Sequence, residues 1–265
     1  LGWDQIGTKE LVNTVTRQQF LDYKASQYVP KNMVITLAGN VNEKDLNTVA
    51  TYFESCSGEQ KIDPFKYDPD KSTDKTKIRV KKTEQYHLAF GCLGVAETDP
   101  RFPAFKVLAT ILGGNMSSRM FQNVREEKGL CYSIRTYVDD FSDTGLLVTR
   151  AGVKVTDVLR AVEAVRFEYD QVQQSGVSEA ELEKAKNYLC GKIDLGTEDS
   201  EDVAHEYAKM ALMYHKLESY DEYKQRLRAV DLKTVNQLAK ELLTPVNLRF
   251  AGIGPQVDQE ALANL

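Results

Sequence analysis

Three histidines, His87, His205 and His215, are the whole imidazole inventory of this 265-residue chain, and none stands in a zinc-binding spacing. His205 is followed by Glu-Tyr-Ala-Lys, so no second imidazole lies one helical turn further on. On its helix it falls roughly 200° from Val203. The apolar stripe there runs through Val203, Tyr207, Met210 and Tyr214, which leaves His205 in solvent. His87 opens a strand and reads as a surface or packing residue. The four cysteines, Cys56, Cys92, Cys131 and Cys190, are widely separated with no CxxC pair, which fits a reducing compartment or simply a protein that does not rely on bridges. Cys131 has no base beside it and reads as a small buried apolar residue. The richest stretch lies between Leu112 and Tyr137. There Gly113-Gly114-Asn115 precedes Ser117-Ser118, predicting a tight turn with positive φ before a serine-capped helix, with backbone amides free at the helix start.

The surrounding periodicities supply elements to hold that turn. Two strands are expected near 76–82 and 86–95. A helix follows over 102–112, then a short helix from Ser118 to Glu127 that stops at Gly129. Strands near 132–139 and 144–151 are joined by a hairpin turn at Asp140 to Asp143. Helices are expected over 155–174, 178–194, 199–216, 219–228 and 231–243, then a last strand and a short terminal helix. Strands early, helices late and a returning strand predict an α+β fold, a mostly antiparallel sheet covered by helices on one face.

A second pattern concerns organisation. Phe20, Tyr23, Tyr28, Pro30 and Asn32 precede the apolar run Met33 to Leu37 and Ala38-Gly39. Val235, Leu238, Leu243, Pro245 and Asn247 precede Leu248-Arg249-Phe250 and Ala251-Gly252 in the same order. Each copy predicts a helix with one apolar face followed by a strand, the first helix capped by Thr16 and the first strand spanning 32–39. Asn42 caps a further helix through about Glu54, with Leu46, Val49, Ala50 and Phe53 on one stripe. The expected organisation is 1–56 as the tail of a truncated preceding domain, 57–75 as a linker with two prolines and alternating charge, and 76–265 as one complete domain.

The length allows a sizeable core, with roughly 70 to 75% of the unfolded surface removed from water. Hydrophobic residues make up 42% and charged residues 28%, ordinary values for a globular protein. The net charge of −5 argues against nucleic acid or an anionic membrane as partner, and is compatible with tolerance of basic peptides. No apolar run approaches the roughly 20 residues of a membrane span, and a cytoplasmic location is favoured.

Leu112-Gly113-Gly114-Asn115-Met116-Ser117-Ser118-Arg119-Met120-Phe121, followed by Arg125-Glu126 and Gly129-Leu130-Cys131-Tyr132-Ser133, resembles the signature of the pitrilysin/insulinase-type zinc metallopeptidases, the group that includes mitochondrial processing peptidase. Ser142-Asp143-Thr144-Gly145 resembles that family's hairpin. Leu1-Gly2 and Ile6-Gly7-Thr8 resemble its linker, and Tyr28 to Met33 with Ala38-Gly39 the strand closing its catalytic half. Asn115 departs from the family's third glycine, a position where asparagine tolerates the left-handed region.

The resemblance implies a zinc-dependent metalloendopeptidase that cleaves peptides or unfolded polypeptides in a chamber between two similar halves, built like processing-peptidase or LuxS-type metallohydrolase units. It places the HxxEH zinc motif upstream of Leu1, so zinc belongs to the full-length protein, no metal ligand is expected here, and this portion alone is expected to be inactive. It assigns Arg125 and Tyr132, seven residues apart, to substrate positioning and stabilisation of the intermediate. A guanidinium and a phenol are donors suited to a peptide carbonyl and its developing oxyanion. From the residues alone, Arg125 also reads as a surface helix residue paired with a neighbouring acid, and Tyr132 as a packing aromatic. A homo- or heterodimer is expected. The alternative is a non-catalytic scaffold or substrate-holding subunit paired with an HxxEH-bearing partner.

Overall fold

The computed structural model describes residues 6–58, 66–68, 74–258 and 262. In chain order the helices and strands are α1 (Lys9–Thr14), α2 (Arg17–Gln27), α3 (Glu43–Phe53), β1 (Thr76–Val80), β2 (Tyr86–Leu93), α4 (Phe102–Ala109), β3 (Cys131–Asp140), β4 (Gly145–Val153), α5 (Val158–Ser175), α6 (Glu179–Gly196), α7 (Ser200–Tyr214), α8 (Tyr220–Arg228), α9 (Leu232–Leu242) and β5 (Arg249–Gly254). Two compact units emerge, Leu1–Asp68 with Leu195–Glu218, and Pro69–Asp194 with Ser219–Leu265. Most of the expected linker 57–75 and the expected terminal helix lie outside the described residues.

In the first unit, α2 begins at a reciprocal cap. The Thr16 hydroxyl accepts from Gln19 N while the Gln19 side chain accepts from Thr16 N at 2.7 Å. Asn42 and Asp45 cap α3 in the same way. The helices start where expected, but their apolar faces are not buried: Phe20 is 64% and Leu46 56% exposed. The expected strand at 32–39 is not one. Pro30–Asn32 forms a single 3-10 turn, and 33–38 runs on outside any ladder among the described residues. A strand exists only through a partner's hydrogen bonds, and no described strand runs beside this segment. α1, capped by Thr8, was not expected.

The second unit is a five-stranded sheet in the order β1-β5-β2-β4-β3, antiparallel throughout except for β1 beside β5. Alternation sends Tyr86, Leu88, Phe90 and Cys92 of β2 to one face, where α4, α5 and α9 contribute Phe105, Leu108, Val165, Tyr169, Val235 and Leu238 to a continuous core. Burial of this apolar surface is the main force holding the unit together, at about 25 cal/mol per Å². Within the core, the Thr136 and Thr149 hydroxyls share a hydrogen bond of 2.6 Å, and Thr149 bonds in turn to the Tyr169 phenol, tying β3, β4 and α5 together. The β3–β4 hairpin closes where expected, with Phe141 N donating to Thr144 O at 3.1 Å.

Candidate functional site

The segment from Thr110 to Leu130 is positioned from both ends. α4 widens into a π-helical stretch at Thr110–Gly114, and a second one spans Met120–Glu127. Single π turns often mark functional sites. The expected left-handed glycine turn is not what forms. Gly113 has φ −165°, which is extended backbone, and Asn115 has φ −152°. Gly113 is needed for close approach instead, since a Cβ there would lie 2.6 Å from Thr136 N. The cap also differs from expectation: Asn115 Oδ1 accepts from Ser117 N at 2.8 Å, and the Ser118 hydroxyl donates back to Asn115 O at 2.5 Å. An asparagine side chain reaches the amide two residues on more readily than serine does, so Asn115 takes the turn. Gly129, at φ +62°, does occupy the left-handed region and ends the helix as expected.

Side chains from α5 and α6 then clamp this segment. Arg119 binds Glu181 bidentately, Nε to Oε1 at 2.6 Å and Nη2 to Oε2 at 2.9 Å. Burial alone would raise the Glu181 carboxyl. The Arg119 hydrogen bonds and the Ser178 amide and hydroxyl outweigh it, holding the group down at about 2. Asn123 donates to the buried Glu168 at 2.8 Å, and Lys184 donates to Ser117 O at 3.2 Å.

Arg125 and Tyr132 meet on this support. Arg125 Nε donates to the Tyr132 backbone carbonyl at 3.0 Å, and its guanidinium lies over the Phe121 ring at 4.5 Å. Its Nη1 also pairs with Glu126 at 3.2 Å, an exposed contact of small energetic weight. The Nη2 donors are uncommitted among the described residues. Tyr132 occupies a feature that strand alternation did not reveal. Cys131 pairs with Val153 and Ser133 with the next residue, Gly152, so Tyr132 is bulged out of the ladder. A bulge adds one residue to one strand and re-aims its side chain. Tyr132 is accordingly 52% exposed, unlike a packing aromatic.

Neighbouring groups add no nucleophile. Burial pushes the Cys131 thiol up to about 11, against a smaller opposing pull from Arg125, and the Cys92 thiol up to about 12. Both are protonated at neutral pH, and the thiolate is the reactive form. His87 on β2, His205 on α7 and His215 at the C-cap of α7 are all exposed.

A family model described as the peptidase M16 inactive domain matches residues 14–189. The chain belongs to the M16 peptidase family. An uncharacterized zinc protease of Bacillus subtilis is 32% identical over 244 residues, covering 92% of this chain and 59% of its own. One from Streptomyces coelicolor is 34% identical over 269 residues, covering 98% and 58%. The chain thus spans about three-fifths of the length of these M16 relatives. The crystal structure of a peptidase M16 inactive domain from Pseudomonas fluorescens superposes with a TM-score of 0.85 at 19% identity, over 96% of this chain and 61% of that one. It shares the α+β fold. The relatives' name implies zinc, and the donor set among the described residues does not fit a zinc centre. Among the described residues no three His, Cys, Asp or Glu side chains gather as a metal cluster, and no helix is long and apolar enough to cross a membrane.

Proposed function

We propose that this chain is the substrate-positioning part of a zinc-dependent metalloendopeptidase that hydrolyses peptides or unfolded polypeptides in a chamber between two similar halves. The metal and its ligands lie outside these residues, and every step contributed here is binding and orientation. Arg125 offers fixed N–H donors to a peptide carbonyl, and the Tyr132 hydroxyl donates to the oxygen on which charge develops. The observation that carries this reading is the bulge. It turns Tyr132 out of the ladder while Arg125 grips that residue's own carbonyl, so the guanidinium is fixed by a 3.0 Å bond to the main chain from which the Tyr132 side chain projects. Pre-organisation of this kind is what stabilising a developing charge requires. The full-length protein is proposed to work as a homo- or heterodimer, as closed symmetric assemblies commonly do.

The test uses the full-length protein, assayed for zinc content and for cleavage of a quenched unstructured peptide. Chelator-sensitive turnover is expected, with Arg125→Ala and Tyr132→Ala each lowering kcat about 100-fold while zinc stays bound. A full-length protein that binds no zinc and cleaves nothing alone would replace this reading with a substrate-holding subunit serving a partner that carries HxxEH.

A further inference from the structure

The strand registers define a second surface, the sheet face opposite the core. Crossing the sheet, one row places Lys77, Ala251, Ala89, Arg150 and Arg135 in line. The next row toward the hairpin runs Arg249, Gly91, Val148 and Tyr137. On the other side Arg79, Ile253, His87, Gly152 and Ser133 align, and the bulged Tyr132 adjoins the end of that row. The centre is therefore floored by small residues, Ala89, Gly91 and Ala251, while the flanks carry long cations. Lys77, Arg79, Arg135, Arg150 and Arg249 are all exposed, and the one acid on this face of the strands, Asp139, lies at the far end of β3. A protein of net charge −5 has thus gathered cations onto one face of its sheet.

These cations are not neutralised locally. Among the described residues none of the five makes an ion pair. Arg249 donates to the Val246 and Leu248 carbonyls at 2.6 and 3.2 Å, which orient it without cancelling its charge. Arg150 lies over the Tyr137 ring at 5.3 Å, held on the face by cation–π attraction. The Tyr137 hydroxyl oxygen is screened from water and has no hydrogen-bond partner among the described residues. Like charges without counterions cost repulsion, and an anionic ligand relieves it.

We infer that this face holds an extended acidic peptide, its backbone over the small central residues and its carboxylates on the flanking arginines and Lys77. The inference rests on the peptidase reading and supplies its substrate class. The sign of the local field is opposite to that of the whole chain, and a ligand in contact responds to the local field because salt screens charges beyond about 8 Å.

The test is fluorescence anisotropy of three labelled unstructured peptides of equal length, glutamate-rich, glutamine-rich and lysine-rich, with the full-length protein. This readout needs no turnover, so its outcome is separate from that of the cleavage assay. The expected order is acidic, then neutral, then basic, with about tenfold between the first two at low salt and most of that lost near 0.5 M salt. Arg135→Glu with Arg150→Glu is expected to invert the order. Lys77→Glu with Arg79→Glu, on the sheet edge, gives an independent variant should the first not fold. The inference is overturned if the wild type prefers the basic peptide or ranks all three equally, or if folded variants keep the wild-type order.

Discussion

Residues 16–39 and 231–254 carry the same pattern of capped helix, Pro-x-Asn, apolar run and Ala-Gly, yet they reach different structures. Both helices form at their caps: Thr16 with Gln19 for α2, and Asp231 accepting from Thr234 N at 2.7 Å for α9. Beyond the helices they part. α9 buries Val235, Leu238 and Ala239 completely or nearly so, and β5 is inserted between β1 and β2. α2 has no buried residue, Tyr23 is 63% exposed, and 33–38 joins no ladder among the described residues. Local signals thus suffice to begin a helix. Burying its face and pairing the following run depend on what packs beside them.

The strongest way to break the comparison is to truncate equivalent apolar residues. Leu238→Ala is expected to cost about 2–5 kcal/mol and Tyr23→Ala no more than about 0.5 kcal/mol. Hydrogen exchange reads both in the full chain: protection in β2, β4 and β5 should fall for the first and stay unchanged for the second. Equal losses would mean that α2 is packed as firmly as α9.

Acid sharpens it further. The Glu181 carboxyl is held at about 2, below its ordinary 4.5, so the unfolded chain takes up the proton first as pH falls. The clamp's contribution is complete above about pH 4.5 and is lost progressively between about 4.5 and 2. Amides of 118–128 should lose protection in that window, and Glu181→Gln should flatten the response and cost about 2 kcal/mol at neutral pH. The cap of α2 joins the neutral groups Thr16 and Gln19, so its protection should not follow this titration.

A smaller effect than that of Glu181→Gln is expected at that cap. Thr16→Ala removes one acceptor from the first turn and should cost about 1 kcal/mol, confined to the first amides of α2. Loss of protection spreading into α3 would show instead that the first unit behaves as one cooperative body.

Several features of the second unit were legible because their causes lie within a few residues. The helix stop at Gly129, the hairpin before Gly145 and the alternation of β2 follow from one glycine, one turn and a period of two. The turn at 113–118 was harder to read, because glycine was expected to serve a positive φ there. Its actual reason is the close passage of Thr136, more than twenty residues away in sequence. Arg125 and Tyr132 were marked by family resemblance. The guanidinium-to-carbonyl bond and the bulge between them carry no local signature.

The sequence by itself determined the family, the α+β class, the caps of α2 and α3 and most element boundaries, since these rest on motif identity and on interactions spanning one helical turn or one strand period. Only the tertiary structure decided that β1 lies parallel to β5 from the far end of the chain, that residues 33–38 form no strand, that Tyr132 leaves its ladder, and that five cations share one face of the sheet. The reason is physical. Strand partners, registers and faces are set by hydrogen bonds and packing between residues distant in sequence, and no local preference specifies them.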